Sequence, residues 1–117
     1  MRNFRKYDLW QDAIYLVDEI YKLVAVFPNT EKYGLQSQMT RAAISIPSNI
    51  AEGSARESEK DFARFIQMAL GSAYELETQL IISVRQDYLS KEYSKEVLDQ
   101  IQSIQKRLLG LKKKLTT

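Results

Sequence analysis

Arg41-Ala-Ala-Ile-Ser-Ile-Pro-Ser-Asn-Ile-Ala-Glu-Gly-Ser-Ala-Arg56 is the stretch that decides the fold of this chain. Its apolar residues keep helical spacing on both sides of Pro47, which predicts that a helix spanning about 35–52 continues through the proline. An interior proline removes one backbone donor and crowds the carbonyl group four residues earlier. The helix is therefore expected to be kinked at Pro47 and supported by packing on both sides. Gly53 is expected to end it in a left-handed conformation.

Four polar residues surround the proline in an otherwise apolar setting: Ser45, Ser48, Asn49 and Glu52. We expect Ser48 and Asn49 to satisfy backbone groups that the proline frees, because both side chains can donate and accept hydrogen bonds. Glu52 is placed to reach back three residues, as in a capping box. A functional duty for Asn49 and Glu52 is the alternative. The residues interpreted as a structural motif are Ser45, Pro47, Ser48, Asn49, Glu52 and Gly53.

Three further helices follow from apolar residues spaced three and four apart. The first is expected to begin at Asp8, which can cap it with Gln11 bonding back, and to end at Pro28. The others are expected to begin after Ser58, which forms a capping-box pattern with Asp61, and after Ser90, the expected N-cap. The third helix is expected to be the longest. The short connections make successive helices antiparallel. Residues 1–117 are therefore predicted to form one all-α domain, an antiparallel up-down-up-down four-helix bundle with a proline-kinked second helix.

The first helix has a second apolar stripe beside the one that faces the core. This stripe consists of Trp10, Ile14, Val17, Tyr21 and Val24. Because it is continuous, it predicts self-association, with Trp10, Ile14 or Tyr21 at or near the contact. The alternative is a monomer, since scattered exposed apolar residues are common on monomers.

The third helix contains three small residues in succession: Gly71, Ser72 and Ala73. A glycine inside a helix costs about 1 kcal/mol relative to alanine. We therefore expect these three residues to form a thin surface that allows close helix packing.

The composition of the 117 residues argues against most catalytic chemistry, because the chain contains neither cysteine nor histidine. A thiol nucleophile, a zinc–thiolate site and any Ser–His or Cys–His pair are thereby excluded. Di-iron bundles need Glu-x-x-His pairs, which are also excluded. We predict a non-enzyme with no catalytic residue, no cofactor and no metal site. No segment has the pattern of a membrane span or a signal peptide, so a cytoplasmic protein is expected.

The basic residues of the fourth helix are the first candidates for a binding site. Lys106, Arg107, Lys113 and Lys114 lie off its apolar seam, where spaced cations could contact phosphates. The formal net charge is only +2, but an oligomer would repeat each basic stripe. The alternative is that these cations complement the helix macrodipole and keep the chain soluble.

Arg41 and Arg56, which flank the central segment, are the second candidates. They are either ligand contacts or members of structural ion pairs. In the second interpretation, their partners are Glu52, Glu75 or Glu77.

The central run Ser45-Ile-Pro-Ser-Asn-Ile-Ala-Glu-Gly53 resembles that of the bacterial proteins called 23S rRNA intervening-sequence proteins. Further matching positions are Arg56, Ser58, Phe62, Arg64 and Phe65. Thr40 and Ala55 depart from the family pattern, which often has arginine and glycine there. The resemblance implies a four-helix bundle assembled as a homopentamer, without catalytic activity. It also implies a relation to accessory proteins of diversity-generating retroelements, which associate with a reverse transcriptase and bind nucleic acid.

Two functional hypotheses therefore follow. The first is a homo-oligomeric scaffold, pentameric by the resemblance, that binds RNA or DNA weakly and without sequence preference. The second is a scaffold that binds another protein, such as a reverse transcriptase by family resemblance, and has no direct role with nucleic acid.

Overall fold

Four helices account for most of the chain in the computed structural model, which describes residues 2–117. Their bounds are α1 Asp8–Val24, α2 Leu35–Ser54, α3 Glu59–Arg85 and α4 Lys91–Leu115. Two single-turn 3-10 helices, Phe4–Lys6 and Asn29–Glu31, precede α1 and α2. Within residues 2–117 there is no β-strand, so the prediction of an all-α four-helix bundle is confirmed. None of these helices combines the length and the hydrophobicity that a membrane span requires.

The core is built from one apolar stripe of each helix, at the spacings that the sequence predicts. Side chains from α1, α2, α3 and α4 are almost completely buried together, and the largest of them contribute about 1.5–3 kcal/mol each. They include Leu16, Ile20, Met39, Ile46, Phe62, Ile66, Leu76, Leu80, Ile101 and Ile104. The stability of the monomer therefore rests mainly on helix packing.

The two predicted serine caps are confirmed, and α1 begins at Asp8 as predicted, but its cap and its end differ from the prediction. Ser58 Oγ and Ser90 Oγ each accept a bond from the backbone N–H three residues later, at 3.0 Å. Tyr7 is the cap residue of α1 and provides no side-chain bond, so the Asp8 cap is wrong. Gln11 Nε2 instead donates to Arg5 O at 2.9 Å.

α1 ends at Val24 and does not reach Pro28. Phe27, which directly precedes the proline, is disfavoured in helical conformation.

α2 continues through Pro47 to Ser54, as the sequence predicts, but Gly53 is not its terminator. No glycine among residues 2–117 has a positive φ. A Cβ added to Gly53 would lie 2.6 Å from Phe65 Cβ and 2.9 Å from Phe62 Cδ1. Gly53 is therefore needed for the close approach of α2 to α3. The predicted left-handed stop is wrong because packing, and not chain termination, selects the glycine.

Residues later in α2 contact residues earlier in α3. Ser83 Oγ lies 3.4 Å from Met39 Sδ near one end, and Ser45 Oγ lies 2.8 Å from Ser72 Oγ further along. Gly53 then meets the first turns of α3. The full up-down-up-down order of the four helices and the bend at Pro47 stay predictions.

Of the three small residues predicted to form a packing surface in α3, two lie at helix contacts. Ala73 is buried and Ser72 bonds to α2. Gly71 is exposed, and a Cβ there would meet no atom within 4 Å. The packing role predicted for Gly71 is therefore wrong in the monomer, because its face of α3 points to solvent.

Candidate nucleic-acid interface

The four basic residues predicted on α4 are divided between its two flanks. Arg107 Nη1 lies 2.8 Å from Asp12 Oδ2, so this guanidinium ties α4 to α1. Lys106 lies on the other flank, in a groove that it shares with Glu77 of α3. Lys113 and Lys114 are exposed in the last turn. The four cations therefore form no single patch.

Arg41 and Arg56 also lie apart, because about 20 Å of helix separates them. Arg56 Nε is 3.7 Å from Asp61 Oδ2, so an ion pair is present but its partner is none of the predicted carboxylates. The α2–α3 turn explains this partner, because it brings the first turn of α3 against Arg56. Arg41 is exposed and belongs to none of the ion pairs found among the described residues.

The residues before α1, 2–7, form an N-terminal arm that places Arg2 against the end of α2. Arg2 Nη1 donates to the carbonyl oxygens of Ser54, at 3.4 Å, and of Arg56. The guanidinium carbon of Arg2 also lies 4.8 Å from the centroid of the Phe62 ring. A cation at a helix C-terminus interacts favourably with the macrodipole. Arg2 therefore joins the arm, α2 and α3.

Two further arginines cover the ring of Phe65. The guanidinium carbons of Arg56 and Arg64 lie 4.7 and 4.8 Å from its centroid, which is cation–π distance. Arg64 Nε also donates to Asp61 Oδ1 at 3.0 Å, so one carboxylate orients both guanidiniums. We call the group formed by Arg2, Arg56, Arg64, Phe62 and Phe65 the arginine corner.

Three segments that carry lysine and arginine residues meet at this end of the bundle. The arm contacts the end of α2 through Arg2, and α3 begins five residues after α2 ends. Gln105 Nε2 contacts Ala73 O, while Gln102, earlier in α4, contacts Glu77, later in α3. α4 thus continues about 15 Å past Gln105 toward the start of α3. We call the segments 2–12, 51–66 and 104–117 together the basic end.

The charges of the chain are unevenly divided between the basic end and the remainder. The basic end holds eleven Lys and Arg residues and six Asp and Glu residues. The rest of the chain holds six Lys and Arg residues and nine Asp and Glu residues. The eleven cations are Arg2, Arg5, Lys6, Arg56, Lys60, Arg64, Lys106, Arg107, Lys112, Lys113 and Lys114. The charges are thus separated along a molecule 44 Å long and 20–23 Å wide. A field of this kind attracts polyanions to one end.

Sequence reasoning missed the contributions of Arg2, Arg5 and Arg64 to this end. The available signal was the alternation of arginine with phenylalanine, in Phe4-Arg5 and in Arg64-Phe65. The Arg2–Phe62 pair joins residues sixty positions apart. A pair of that kind depends on the folded arrangement and has no local pattern.

The polar residues of the central motif form a bridge between α2 and α3. Asn49 Nδ2 donates to Ser45 O and Ser45 Oγ, both at 2.9 Å, and Ser45 Oγ is 2.8 Å from Ser72 Oγ. Asn49 therefore does not reach the carbonyl four residues before Pro47, because its side chain faces α3. This part of the prediction is wrong.

Ser48 and Glu52 are exposed, on the outer face of α2. Their side chains form no hydrogen bond found among residues 2–117, so the predicted reach-back of Glu52 is also not present there. Pro47 itself is buried. The motif therefore holds two helices together and presents no cluster of functional groups.

An apolar groove lies between α1 and α2 on the outside of the bundle. It measures about 340 Å³ and has a single polar lining residue, Ser48. The other lining residues are Phe4, Trp10, Ile14, Val17, Ile44, Pro47 and Ala51. Trp10 is half-buried against Phe4, while Ile14 and Tyr21 are 39% and 53% exposed. The second apolar stripe is therefore partly available to a partner.

A hydrogen bond at the opposite end perturbs one titratable group. Tyr88 Oη donates to Glu31 Oε2 at 3.1 Å, which raises the pKa of Tyr88; burial and the charge of Glu31 act in the same direction. This contact joins the α3–α4 corner to the 3-10 turn before α2. Within residues 2–117, no three acidic, histidine or cysteine side chains are grouped so that they could hold a metal ion.

Comparison with known proteins identifies a family and similar solved structures. The profile of the family described as 23S rRNA-intervening sequence protein matches residues 5–110. A crystal structure of a protein of unknown function, from the S23 ribosomal protein family of Bacteroides thetaiotaomicron, is 24% identical, with a TM-score of 0.81. The match covers 90% of this chain and 98% of that one, and it shows the same fold. No curated protein matches the chain significantly.

Proposed function

Since the chain belongs to the 23S rRNA-intervening sequence protein family, we propose that it is a non-catalytic, homo-oligomeric scaffold that binds RNA or DNA weakly. The binding surface is the basic end, and binding has little sequence preference. The name of the family refers to 23S rRNA, which favours RNA as the partner. A nucleic-acid partner also fits the cytoplasmic location that we propose.

The separation of charge along the bundle is the observation that carries this proposal. The formal charge of the whole chain is +2, but the basic end has five more cations than carboxylates. Lys and Arg that neutralise phosphates release condensed counterions, and this release supplies affinity without base contacts. The α4 cations Lys106, Lys113 and Lys114 contribute to this field, and Arg41 lies outside it.

Self-association through the α1–α2 groove would strengthen such binding. The exposed apolar side chains of Ile14, Tyr21 and Ile44 support a contact between copies of the chain. Each added copy would bring another basic end to the same polyanion, which raises avidity without new contacts. A ring of five copies is the arrangement that the family resemblance suggests.

Fluorescence anisotropy at two salt concentrations tests the nucleic-acid proposal. A variant with Lys106, Arg107, Lys113 and Lys114 changed to glutamine should bind labelled RNA more weakly, with a shallower dependence on salt. The matched control changes four exposed lysines of the other half to glutamine, which removes the same charge. These lysines are Lys22, Lys32, Lys91 and Lys95. The control should bind like wild type.

Two outcomes count against the proposal. Wild-type protein that fails to bind at low salt would exclude a direct role with nucleic acid. Equal losses in the two quadruple variants would mean that net charge, and not the basic end, determines binding.

The second candidate function is a protein-interaction scaffold with no direct role with nucleic acid. Exposed apolar side chains on α3 favour it: Met68, Tyr74, Ile81 and Ile82 are each 42–51% exposed and lie outside the α1–α2 groove. A reverse transcriptase is a partner only by family resemblance. Co-purification from the native host, with analysis of both bound protein and bound nucleic acid, separates the two functions.

A further inference from the structure

We infer that the arginine corner is the anchor of the basic end and that it holds a single-stranded segment of RNA or DNA. The bases of this segment stack on the guanidinium planes, and its phosphates accept hydrogen bonds from the guanidinium edges. This inference rests on the proposed function, because it names the form of nucleic acid that the basic end takes. It concerns Arg56 and Arg64 above all.

The guanidinium groups of the arginine corner are held in place before any ligand arrives. Asp61 pairs with Arg56 at 3.7 Å and with Arg64 at 3.0 Å, while the ring of Phe65 supports both planes. Their side chains nevertheless remain 44% and 60% exposed, so N–H donors are accessible. Groups that are already ordered lose less entropy on binding. The arginine corner is therefore preorganised for binding, whereas flexible side chains are not.

The cations of α4 are not preorganised in this way. Lys113 and Lys114 are exposed point charges on flexible stems, without a planar surface on which a base could stack. Arg107 has a planar group that Asp12 holds at 2.8 Å, but its side chain is only 35% exposed and it belongs to none of the cation–π pairs found among residues 2–117. These residues attract a polyanion from a distance, whereas the arginine corner can make short, oriented contacts.

The surface around the arginine corner is an open track and not an enclosed pocket. One cleft of about 920 Å³ is lined by Arg56, Lys60 and Arg64, and all of its lining residues are exposed except Asp61, which is half-buried. A second cleft, of about 790 Å³, contains Arg2 and Arg5. The two clefts share their lining at Ala55, Arg56 and Glu57, so they are continuous.

This track favours an unpaired strand over a duplex. Its titratable lining residues are five cations and two carboxylates, the cations being Arg2, Arg5, Arg56, Lys60 and Arg64. An extended strand can follow such a surface and place its bases against arginine planes. In a duplex the bases are already stacked on one another, so only the phosphates can contact the corner.

The test compares one fluorescein-labelled RNA of mixed sequence, about twenty nucleotides long, with the same strand annealed to its complement. Three double variants are titrated by anisotropy beside wild type. Arg56→Gln with Arg64→Gln removes two charges and both planes, and Arg56→Lys with Arg64→Lys removes only the planes. Lys113→Gln with Lys114→Gln removes two charges from α4. Circular dichroism melts confirm that each variant is folded.

We expect the glutamine variant of the arginine corner to lose about tenfold in affinity for the single strand, because the loss of stacking of one base typically has an effect of this size. The lysine variant should bind duplex within about twofold of wild type but lose its preference for the single strand. The Lys113 and Lys114 variant should lose less than about threefold on either probe.

The outcomes distinguish this inference from the proposed function. Equal affinity of wild type for the two probes, or a corner variant that loses no more than the Lys113 and Lys114 variant, overturns the inference and leaves binding by the basic end intact. The absence of wild-type binding to either probe overturns the proposed function and the inference with it.

Discussion

Replacing Gly53 with alanine should destabilise the bundle, although alanine is the better helix former. The added Cβ would lie 2.6 Å from Phe65 Cβ, whereas carbon atoms in contact prefer about 3.5–4.0 Å. Phe65 Cβ is fixed to its backbone, so α2 and α3 must move apart. Overpacking of this kind costs about 1–3 kcal/mol or more, and the gain in helix propensity offsets about 1 kcal/mol. Because relief of this contact requires a backbone shift, we expect the cost to lie in the upper part of that range, at about 2–3 kcal/mol, which leaves a net loss of about 1–2 kcal/mol.

Gly71→Ala is the matched control, because Gly71 also lies inside a helix but has open space around its Cα. Only the propensity gain applies there, so the variant should be about 1 kcal/mol more stable than wild type. For 117 residues, an unfolding entropy of about 2.1 cal/mol/K per residue converts 1 kcal/mol into about 4 °C in Tm. Gly53→Ala should melt about 4–8 °C below wild type, and Gly71→Ala about 4 °C above it.

Thermal melts followed by circular dichroism, at one protein concentration for all three proteins, measure these shifts. A Tm of Gly53→Ala equal to or above that of wild type would refute the close-approach argument. A loss in Gly71→Ala as large as that in Gly53→Ala would also refute it, because steric contact would then not distinguish the two glycines.

Three further predictions concern the Tyr88 contact, the proline and the apolar stripe. The hydrogen bond to Glu31 raises the pKa of Tyr88 in the folded protein. The stabilisation that this bond provides is therefore present at pH values below the pKa of Tyr88 in the unfolded chain, about 10, and is lost as pH rises through the pKa in the folded protein. The difference in unfolding free energy between wild type and Tyr88→Phe, from urea titrations at pH 8 and pH 11, should therefore shrink; a constant difference would contradict this. Pro47→Ala should straighten α2 and weaken assembly more than helix content, which sizing together with circular dichroism can show; unchanged assembly would argue against a role for the bend. Ile14→Glu with Tyr21→Glu should convert the oligomer to a monomer of about 13.6 kDa by light scattering, and a wild-type mass of that size at micromolar concentration would exclude self-association.

The sequence predicted the elements of this fold better than it predicted their ends. The periods of α1 to α4 and the caps at Ser58 and Ser90 depend on residues a few positions apart, and all of them were predictable. The end of α2 was mispredicted because glycine has two uses, as a left-handed stop and as a residue small enough for close packing. Only the position of Phe65, on another helix, decides between these uses at Gly53.

The candidate site was predictable only in part, for the same reason. Lys106, Arg107, Lys113 and Lys114 could be named from the pattern of α4, since a helical wheel shows which residues avoid the apolar seam. The pairing of Arg107 with Asp12 and the contact of Arg2 with Phe62 could not be predicted, because each joins residues far apart in the chain.

By itself the sequence determined that the chain is helical, that one stripe of each helix is buried and that thiol and imidazole chemistry are excluded. These properties follow from the 3.6-residue period and from composition, which need no knowledge of neighbouring helices. The tertiary structure decided that Gly53 is a packing residue, that Asn49 bridges α2 and α3, and that cations from three segments gather at one end. Each of these depends on the distance between residues on different helices, which helix packing sets and no local pattern records.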